Sequence, residues 1–129
     1  MIGAIRNDKC TCLVKVEGRK FRALLDTGAS ASVISETVVP RKTKLQPSTL
    51  SLRSVNGQSL AVLGQMTLDI ALGSAKLSHT FQVVKNISNH IILGFDFIMK
   101  HKLELSFSGQ KCIRLVNEVI PIENEKFIN

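Results

Sequence analysis

The sequence contains no tryptophan and no tyrosine, and its six phenylalanines are scattered along the chain. Proteins that bind single-stranded nucleic acid stack the bases on aromatic side chains, so this composition argues against such a surface. The formal net charge is +7, but the lysines and arginines occur in small groups and not in one long run. We interpret the charge as a solvated basic surface and expect no direct binding of nucleic acid.

Cysteine is also scarce. The three cysteines, Cys10, Cys12 and Cys112, are too few for the disulfide framework of a small secreted protein. Cys10 and Cys12 could join His79, His90 or His101 in a metal site, but common zinc sites space their cysteines differently. On a strand, two cysteines separated by one residue simply share a face. We predict no metal ion and no cofactor.

Long apolar runs are absent as well. No segment approaches the roughly 20 apolar residues that span a bilayer, and the first six residues lack the apolar stretch of a secretory signal. A length of 129 residues favours one compact domain over two. We expect a single domain over residues 1–129, soluble, without membrane contact and located in the cytoplasm.

The dominant hydrophobic period is two, which predicts an all-β fold. Met66, Leu68, Ile70 and Leu72 alternate with polar or small residues, as in a half-buried strand. The Asn56-Gly57 pair predicts a hairpin over about 50–63, because both residues tolerate positive φ. The other predicted strands are 12–16, 21–25, 77–84, 103–107 and 112–116, with turns at 17–19, 73–76 and 108–110.

Helical signals are few. We predict one short helix at about 96–101, in which the Asp96 side chain caps the residues from Phe97 onward.

The segment over residues 23–34 carries the chemistry. An apolar strand runs straight into Asp26, which is followed by Thr27, Gly28 and small residues before the sequence becomes apolar again. A carboxylate that ends a buried strand must be hydrogen-bonded or paired. We expect Gly28 to let the backbone pass close to it in a conformation closed to larger residues, and Thr27 and Ser30 to supply hydroxyls to buried polar groups. Asp-x-Gly is also a common turn, but surface turns rarely lie between two buried runs.

Residues 24–30, Leu-Leu-Asp-Thr-Gly-Ala-Ser, resemble the active-site signature of retropepsins, the aspartic proteases of retroviruses and LTR retrotransposons. Residues 91–97, Ile-Ile-Leu-Gly-Phe-Asp-Phe, are similar to the family's second motif, in which apolar residues and a glycine precede the only helix. The Gly-Phe-Asp-Phe form, and the further strand pair after it, look more like the proteases of gypsy-like LTR retrotransposons or related endogenous elements than like lentiviral enzymes. The resemblance covers about residues 12–107 and implies a closed, barrel-like retropepsin fold.

The resemblance also implies roles for individual residues. Asp26 would be the catalytic carboxylate. Thr27 would brace the two active-site loops across a dimer axis, and Gly28 follows it in the same loop. The 50–63 hairpin would be the flap that closes over an extended polypeptide substrate. The expected substrate-binding residues are Ala29, Ser30, Val55, Asn56, Gly57 and Gln58.

The chemistry of this family needs two carboxylates that share one proton, and the sequence holds only one Asp-Thr-Gly. The chain is too short for two pepsin-like lobes, so a second copy must supply the other carboxylate, and we predict a homodimer. The alternative is that Asp96 completes a site within one chain, but its place before a helical run favours capping.

Two departures from the family stand out. Many retroviral enzymes carry an acidic residue at the position of Ser30 and a basic one at that of Phe95, and both are missing here. A C-terminal extension over about 109–129 is longer than in compact retroviral enzymes.

The leading hypothesis is an aspartic endopeptidase that matures a Gag-Pol type polyprotein, in the cytoplasm or within virus-like particles. The alternatives are a domesticated cellular protease of the ubiquitin-shuttle type, and an inactive fold that serves as a dimerisation or peptide-binding module.

Overall fold

The computed structural model describes residues 8–40, 43–53, 57, 59–85, 87–106, 112–115 and 118–126. Within these ranges the chain forms ten strands and one short helix. In chain order the elements are β1 (Asp8–Val16), β2 (Arg19–Leu25), β3 (Val33–Ser35), β4 (Val62–Leu72), β5 (Ala75–Val84), β6 (Ile91–Leu93), α1 (Phe95–Lys100), β7 (Glu104–Ser106), β8 (Cys112–Leu115), β9 (Glu118–Pro121) and β10 (Glu123–Lys126).

Six strands close into a barrel. Their order is β1-β2-β6-β3-β5-β4, and the pairing of Lys15 with Ala71 returns β4 to β1. The β2–β6 and β3–β5 pairs are parallel, whereas β1–β2, β3–β6 and β4–β5 are antiparallel. Closure leaves fewer strand edges open to solvent. The predicted all-β, barrel-like fold with one short helix is therefore confirmed.

The two predicted long hairpins are both present. The β1–β2 turn consists of Glu17 and Gly18 with φ values of 50° and 78°, a two-residue loop in which both residues adopt positive φ. The β4–β5 turn is shorter than predicted, because β5 already begins at Ala75. The pairing of β4 with β5 is interrupted by a bulge between Val62 and Gly64.

The core fills the barrel and extends under the helix. Its five largest fully buried side chains belong to β3, β4, β5 and α1, and they are Phe81, Phe97, Ile34, Ile70 and Leu72. In β4, buried Ile70 and Leu72 alternate with the more exposed Asp69 and Ala71, as the period-two pattern predicts.

The C-terminal segment is part of this fold. β8 pairs with β7 and with β9, and β10 adds to the edge of β1. Ile113, Ile120 and Ile122 are buried and belong to the same apolar cluster as the barrel residues. These three described residues of the predicted C-terminal extension therefore belong to the core.

The helix begins and ends one residue earlier than predicted. Gly94 occupies the N-cap position, and no side chain caps the helix. The expected capping by Asp96 is therefore wrong: Asp96 lies inside the first turn, and its carboxylate binds groups on other segments. With six residues this helix is far too short to cross a bilayer, and no helix in the described ranges could do so.

Candidate active site

Asp26 lies where two parallel strands end side by side. β2 pairs in register with β6, with Leu25 opposite Leu93, so the residues that follow both strands meet at one edge of the barrel. The Asp26 amide donates a hydrogen bond to the Leu93 carbonyl at 3.0 Å. The two motifs that the sequence separates are thus brought together by one parallel strand pair.

The Asp26 carboxylate is held by its own loop. Its Oδ1 accepts a hydrogen bond from the Gly28 amide at 3.0 Å, and its backbone carbonyl accepts one from the Ala29 amide at 3.1 Å. A Cβ atom at Gly28 would lie 3.3 Å from Asp26 Oδ1. The predicted close approach is present, but Gly28 does not adopt positive φ, so the expected conformation closed to larger residues is wrong.

The rest of the loop faces outward. Thr27, Gly28 and Ser30 are exposed, Ala29 is half-buried, and Asp26 is partly accessible. Within one chain, Thr27 and Ser30 therefore do not serve the buried groups that the sequence suggested. The hydroxyl that does so belongs to Ser32, which is 1% exposed. An exposed loop around a partly accessible carboxylate can contact a substrate or a second chain.

Gly94 allows the loop and the second motif to touch. A Cβ atom at this position would lie 2.6 Å from the Ala29 carbonyl oxygen and 2.9 Å from that of Ala31. Both contacts are with backbone, which has little freedom to move away. The Phe95 amide donates to the same Ala29 carbonyl at 2.7 Å. The glycine of the second motif is thus explained by close backbone approach.

A hydrogen-bonded set of side chains lies behind the loop. The Ser32 hydroxyl donates to Asp96 Oδ1 at 2.7 Å and accepts a hydrogen bond from the Gly94 amide at 2.9 Å. His79 Nε2 binds Asp96 Oδ2 at 2.8 Å, and His79 Nδ1 lies 3.2 Å from His101 Nε2. Both oxygens of Asp96 are therefore engaged with Ser32 and His79. We call these four residues, Ser32, His79, Asp96 and His101, the polar relay.

Two members of the polar relay have displaced pKa values. Burial works to raise the pKa of Asp96, but hydrogen bonds from Ser32 and His79 and the positive potential of His79 lower it below its ordinary value. The pKa of His101 is lowered by its burial first, and then by the neighbouring charges of His79 and Lys100, which outweigh the opposite effect of Asp96. Both shifts favour a relay with an ionised carboxylate and a neutral His101.

Sequence reasoning missed Ser32 and His79 as site residues. His79 lies in a strand whose other inward side chains are apolar, such as Phe81 and Val83, so its position on the buried face was the only available signal. From the sequence it is a candidate only for metal binding. In the described part of the chain, no three His, Cys, Asp or Glu side chains are placed to hold a metal ion.

The predicted flap is partly described. Arg53 pairs with Ser59, and the Leu60 amide donates to the Leu52 carbonyl at 2.9 Å, so two arms of a hairpin are present. Gly57 has the expected positive φ of 84°. Arg53 donates to its carbonyl at 3.0 Å. Val55, Asn56 and Gln58 lie outside the described residues, and the role of this hairpin as a substrate-covering flap stays a prediction.

Comparison with protein families agrees with this geometry. The profile of the retroviral aspartyl protease family matches residues 6–106, which is most of the chain. The protein therefore belongs to that family, as its two motifs predict. No curated protein sequence matches the chain.

Solved structures share the fold. The retroviral protease-like domain of Ddi1 from Leishmania major superposes with a TM-score of 0.72 at 15% identity, covering 89% of this chain and 94% of that domain. The EIAV protease, solved with an inhibitor, superposes with a TM-score of 0.59 at 23% identity, covering 75% of this chain and 91% of the enzyme. At such low sequence identities, the likeness shows a shared fold and nothing further.

Proposed function

We propose that this protein is an aspartic endopeptidase that acts as a homodimer, with Asp26 of each copy forming the catalytic dyad. The observation that carries the proposal is the Asp26 carboxylate itself. It is partly accessible and held by the Gly28 amide, and it lies on an exposed loop that the second family motif buttresses. Nothing in the Asp-Thr-Gly sequence is altered.

Two such carboxylates hydrolyse a peptide bond by sharing one proton, because like charges at close range do not both ionise. The ionised carboxylate takes a proton from a water molecule as the water oxygen attacks the scissile carbonyl carbon. The protonated carboxyl donates its proton to the carbonyl oxygen. Collapse of the tetrahedral intermediate then breaks the C–N bond, and the leaving nitrogen takes up a proton. The dyad titrates as a unit.

The need for a second copy follows from the content of one chain. The sequence holds a single Asp-Thr-Gly, and both oxygens of Asp96 are engaged with Ser32 and His79. A two-fold axis beside the exposed Thr27 and Gly28 would bring two Asp26 side chains face to face. The exposure of this loop in one chain supports a site that a partner completes.

Two biological roles suit this chemistry. Maturation of a retroelement polyprotein, in the cytoplasm or within virus-like particles, is supported by membership of the retroviral protease family. A cellular role is supported by the match with the Ddi1 domain, which covers more of this chain than the viral enzyme does. In both roles the substrate is an extended polypeptide that adds as a strand between the active-site floor and the flap.

The test is cleavage of extended apolar peptides between about pH 4 and 7, comparing the wild type with Asp26→Asn. We expect turnover that pepstatin-type inhibitors block in the wild type, and loss of turnover by several orders of magnitude in the variant. Cleavage that survives in Asp26→Asn would contradict the assignment. If neither protein cleaves any peptide at high concentration, the fold serves as a dimerisation or peptide-binding module.

A further inference from the structure

The loop that carries Asp26 is attached to the side chain of Asp96, which lies far from it in sequence. Ser32 lies at the end of the loop, where its hydroxyl links the Gly94 amide to the Asp96 carboxylate. The Ser32 carbonyl also accepts the Gln82 amide at 3.0 Å. The far end of the active-site loop is thus attached to α1 through Asp96 and to β5 through its backbone.

Asp96 alone would not hold this geometry. Its side chain is 32% exposed, and a partly solvated carboxylate can rotate between the protein and water. His79 removes that freedom, because its ring is buried and binds the second carboxylate oxygen at 2.8 Å. The ring is itself packed edge-on against Phe97 and Phe81, with centroids 4.9 Å and 5.3 Å away. A rigid donor therefore fixes the carboxylate.

We propose that His79 is a positioning residue of the protease site: by binding Asp96, it orients the carboxylate that fastens Ser32 and Gly94, and through them the loop that carries Asp26. This inference rests on the proposed function for its effect on catalysis, but the attachment itself can be measured without activity.

The hydrogen-bond roles fit a relay that tolerates one added proton. Ionised Asp96 only accepts, so His79 Nε2 carries a hydrogen. In a neutral His79, Nδ1 accepts from His101 Nε2; in a protonated His79, Nδ1 donates to His101, which stays neutral. Either state keeps the bond from His79 to Asp96. A positive His79 also attracts the carboxylate more strongly, so a proton added to this ring does not detach the loop.

The surroundings of His79 contain few other charges. On α1 they are Asp96 and Lys100, whose ammonium lies 3.5 Å from the Ser78 carbonyl, and just beyond the helix comes His101. On β4 the residue paired with His79 is Leu68, which does not titrate. The exposed Asp69 pairs with the neighbouring Ser78. Among the described residues, the titratable groups that bind the His79 ring are thus Asp96 and His101.

The test uses the full chain with three variants. His79→Gln keeps an amide donor near the position of Nε2 but cannot become charged, whereas His79→Leu removes the donor. His90→Gln is the matched control, because His90 is exposed and packs beside Phe21 outside the polar relay.

The first readout is the nuclear magnetic resonance spectrum of the isotope-labelled protein, which needs no activity. We expect His79→Leu to shift the amide signals of residues 29–32 and of Gly94, while His79→Gln and His90→Gln leave them close to wild type. In His79→Gln the carboxyl signal of Asp96 should titrate at a higher pH than in the wild type, because the positive charge beside it is gone.

The second readout is peptide cleavage against pH. We expect His79→Leu to lower kcat by about tenfold to a hundredfold with a smaller change in KM, since a misplaced catalytic group slows the chemical step. His79→Gln should keep kcat within about threefold of wild type near neutral pH, because a neutral hydrogen bond is retained. Its activity should fall at a higher pH on acidification.

The proposal is overturned if His79→Leu leaves both the loop signals and kcat unchanged, or if His90→Gln changes them as much. If His79→Leu does not fold, His79→Gln decides: an Asp96 titration and an acid limb identical to wild type would overturn the proposal. If the wild type cleaves nothing but the loop signals move as expected, the positioning role stands and the proposed protease function fails.

Discussion

At the scale of single residues, the site is built from two close approaches of the backbone, one to a side chain and one to another backbone segment. The Gly28 amide binds the Asp26 carboxylate, and Gly94 lets the Ala29 and Ala31 carbonyls come within a distance that no Cβ could occupy. These two glycines differ in the atom that a methyl group would meet. At Gly28 it is a side-chain oxygen at 3.3 Å, and at Gly94 it is backbone at 2.6 Å.

This difference predicts unequal effects of the same substitution. Gly94→Ala should lower the free energy of unfolding by roughly 1–3 kcal/mol, because the loop must move to admit the methyl group. Gly28→Ala should stay within about 1 kcal/mol of wild type, because the contact is looser. Alanine also lowers the conformational entropy of the unfolded chain, which offsets part of the cost. Urea unfolding followed by circular dichroism measures both. Equal midpoints for Gly94→Ala and wild type would contradict the close approach.

At the scale of elements, the C-terminal strands contribute to the apolar core beside the barrel and are not an appendage. Ile113 of β8 is fully buried, and it joins the apolar cluster that contains Phe97 and Leu93. The match to the family profile ends at residue 106. β8 and β9, which lie beyond the matched residues, therefore supply the core residues Ile113 and Ile120.

Ile113→Ala should consequently cost about 2–5 kcal/mol of stability, which is the usual range for truncating a buried isoleucine. Val119→Ala on β9 is the matched control, since Val119 is 56% exposed. Its cost should stay below about 1 kcal/mol. Thermal and urea unfolding of both variants would check this. A similar small loss for both would mean that β8 does not complete the core.

At the scale of the whole molecule, the stability of the fold depends on pH through the polar relay. The pKa of Asp96 is lower in the fold than its ordinary value of 3.8, so its stabilising effect is present above that pH and lost as pH falls through the folded value. The pKa of His101 is lowered from 6.5, so the unfolded chain binds the extra proton more readily and stability falls as pH drops below that value. Both effects act in the same direction.

The expected result is a Tm that decreases on acidification in two steps, one beginning below about pH 6.5 and one below about pH 4. His101→Gln should remove much of the first step, and Asp96→Asn should remove much of the second while weakening the attachment of Ser32. His90→Gln should leave the profile unchanged. Scanning calorimetry across pH 3 to 8 measures this. A wild-type Tm that rises on acidification would contradict the direction of both shifts.

The sequence alone determined the strand periodicity, the β1–β2 and β4–β5 hairpins and the position of the loop that carries Asp26. These features are local: alternating burial, a two-residue turn and a carboxylate after an apolar strand depend on near neighbours. It also indicated the second motif at Gly94, although not why glycine is needed there. The roles of the flap residues and the homodimer remain predictions.

Only the tertiary structure decided what Asp96 does. Its position before a helical run favoured capping, but its partners are Ser32, 64 residues away, and His79, 17 residues away. No local pattern encodes a bond between such distant groups. It forms because the parallel pairing of β2 with β6 and of β3 with β5 brings the active-site loop, α1 and β5 to one place in the closed barrel.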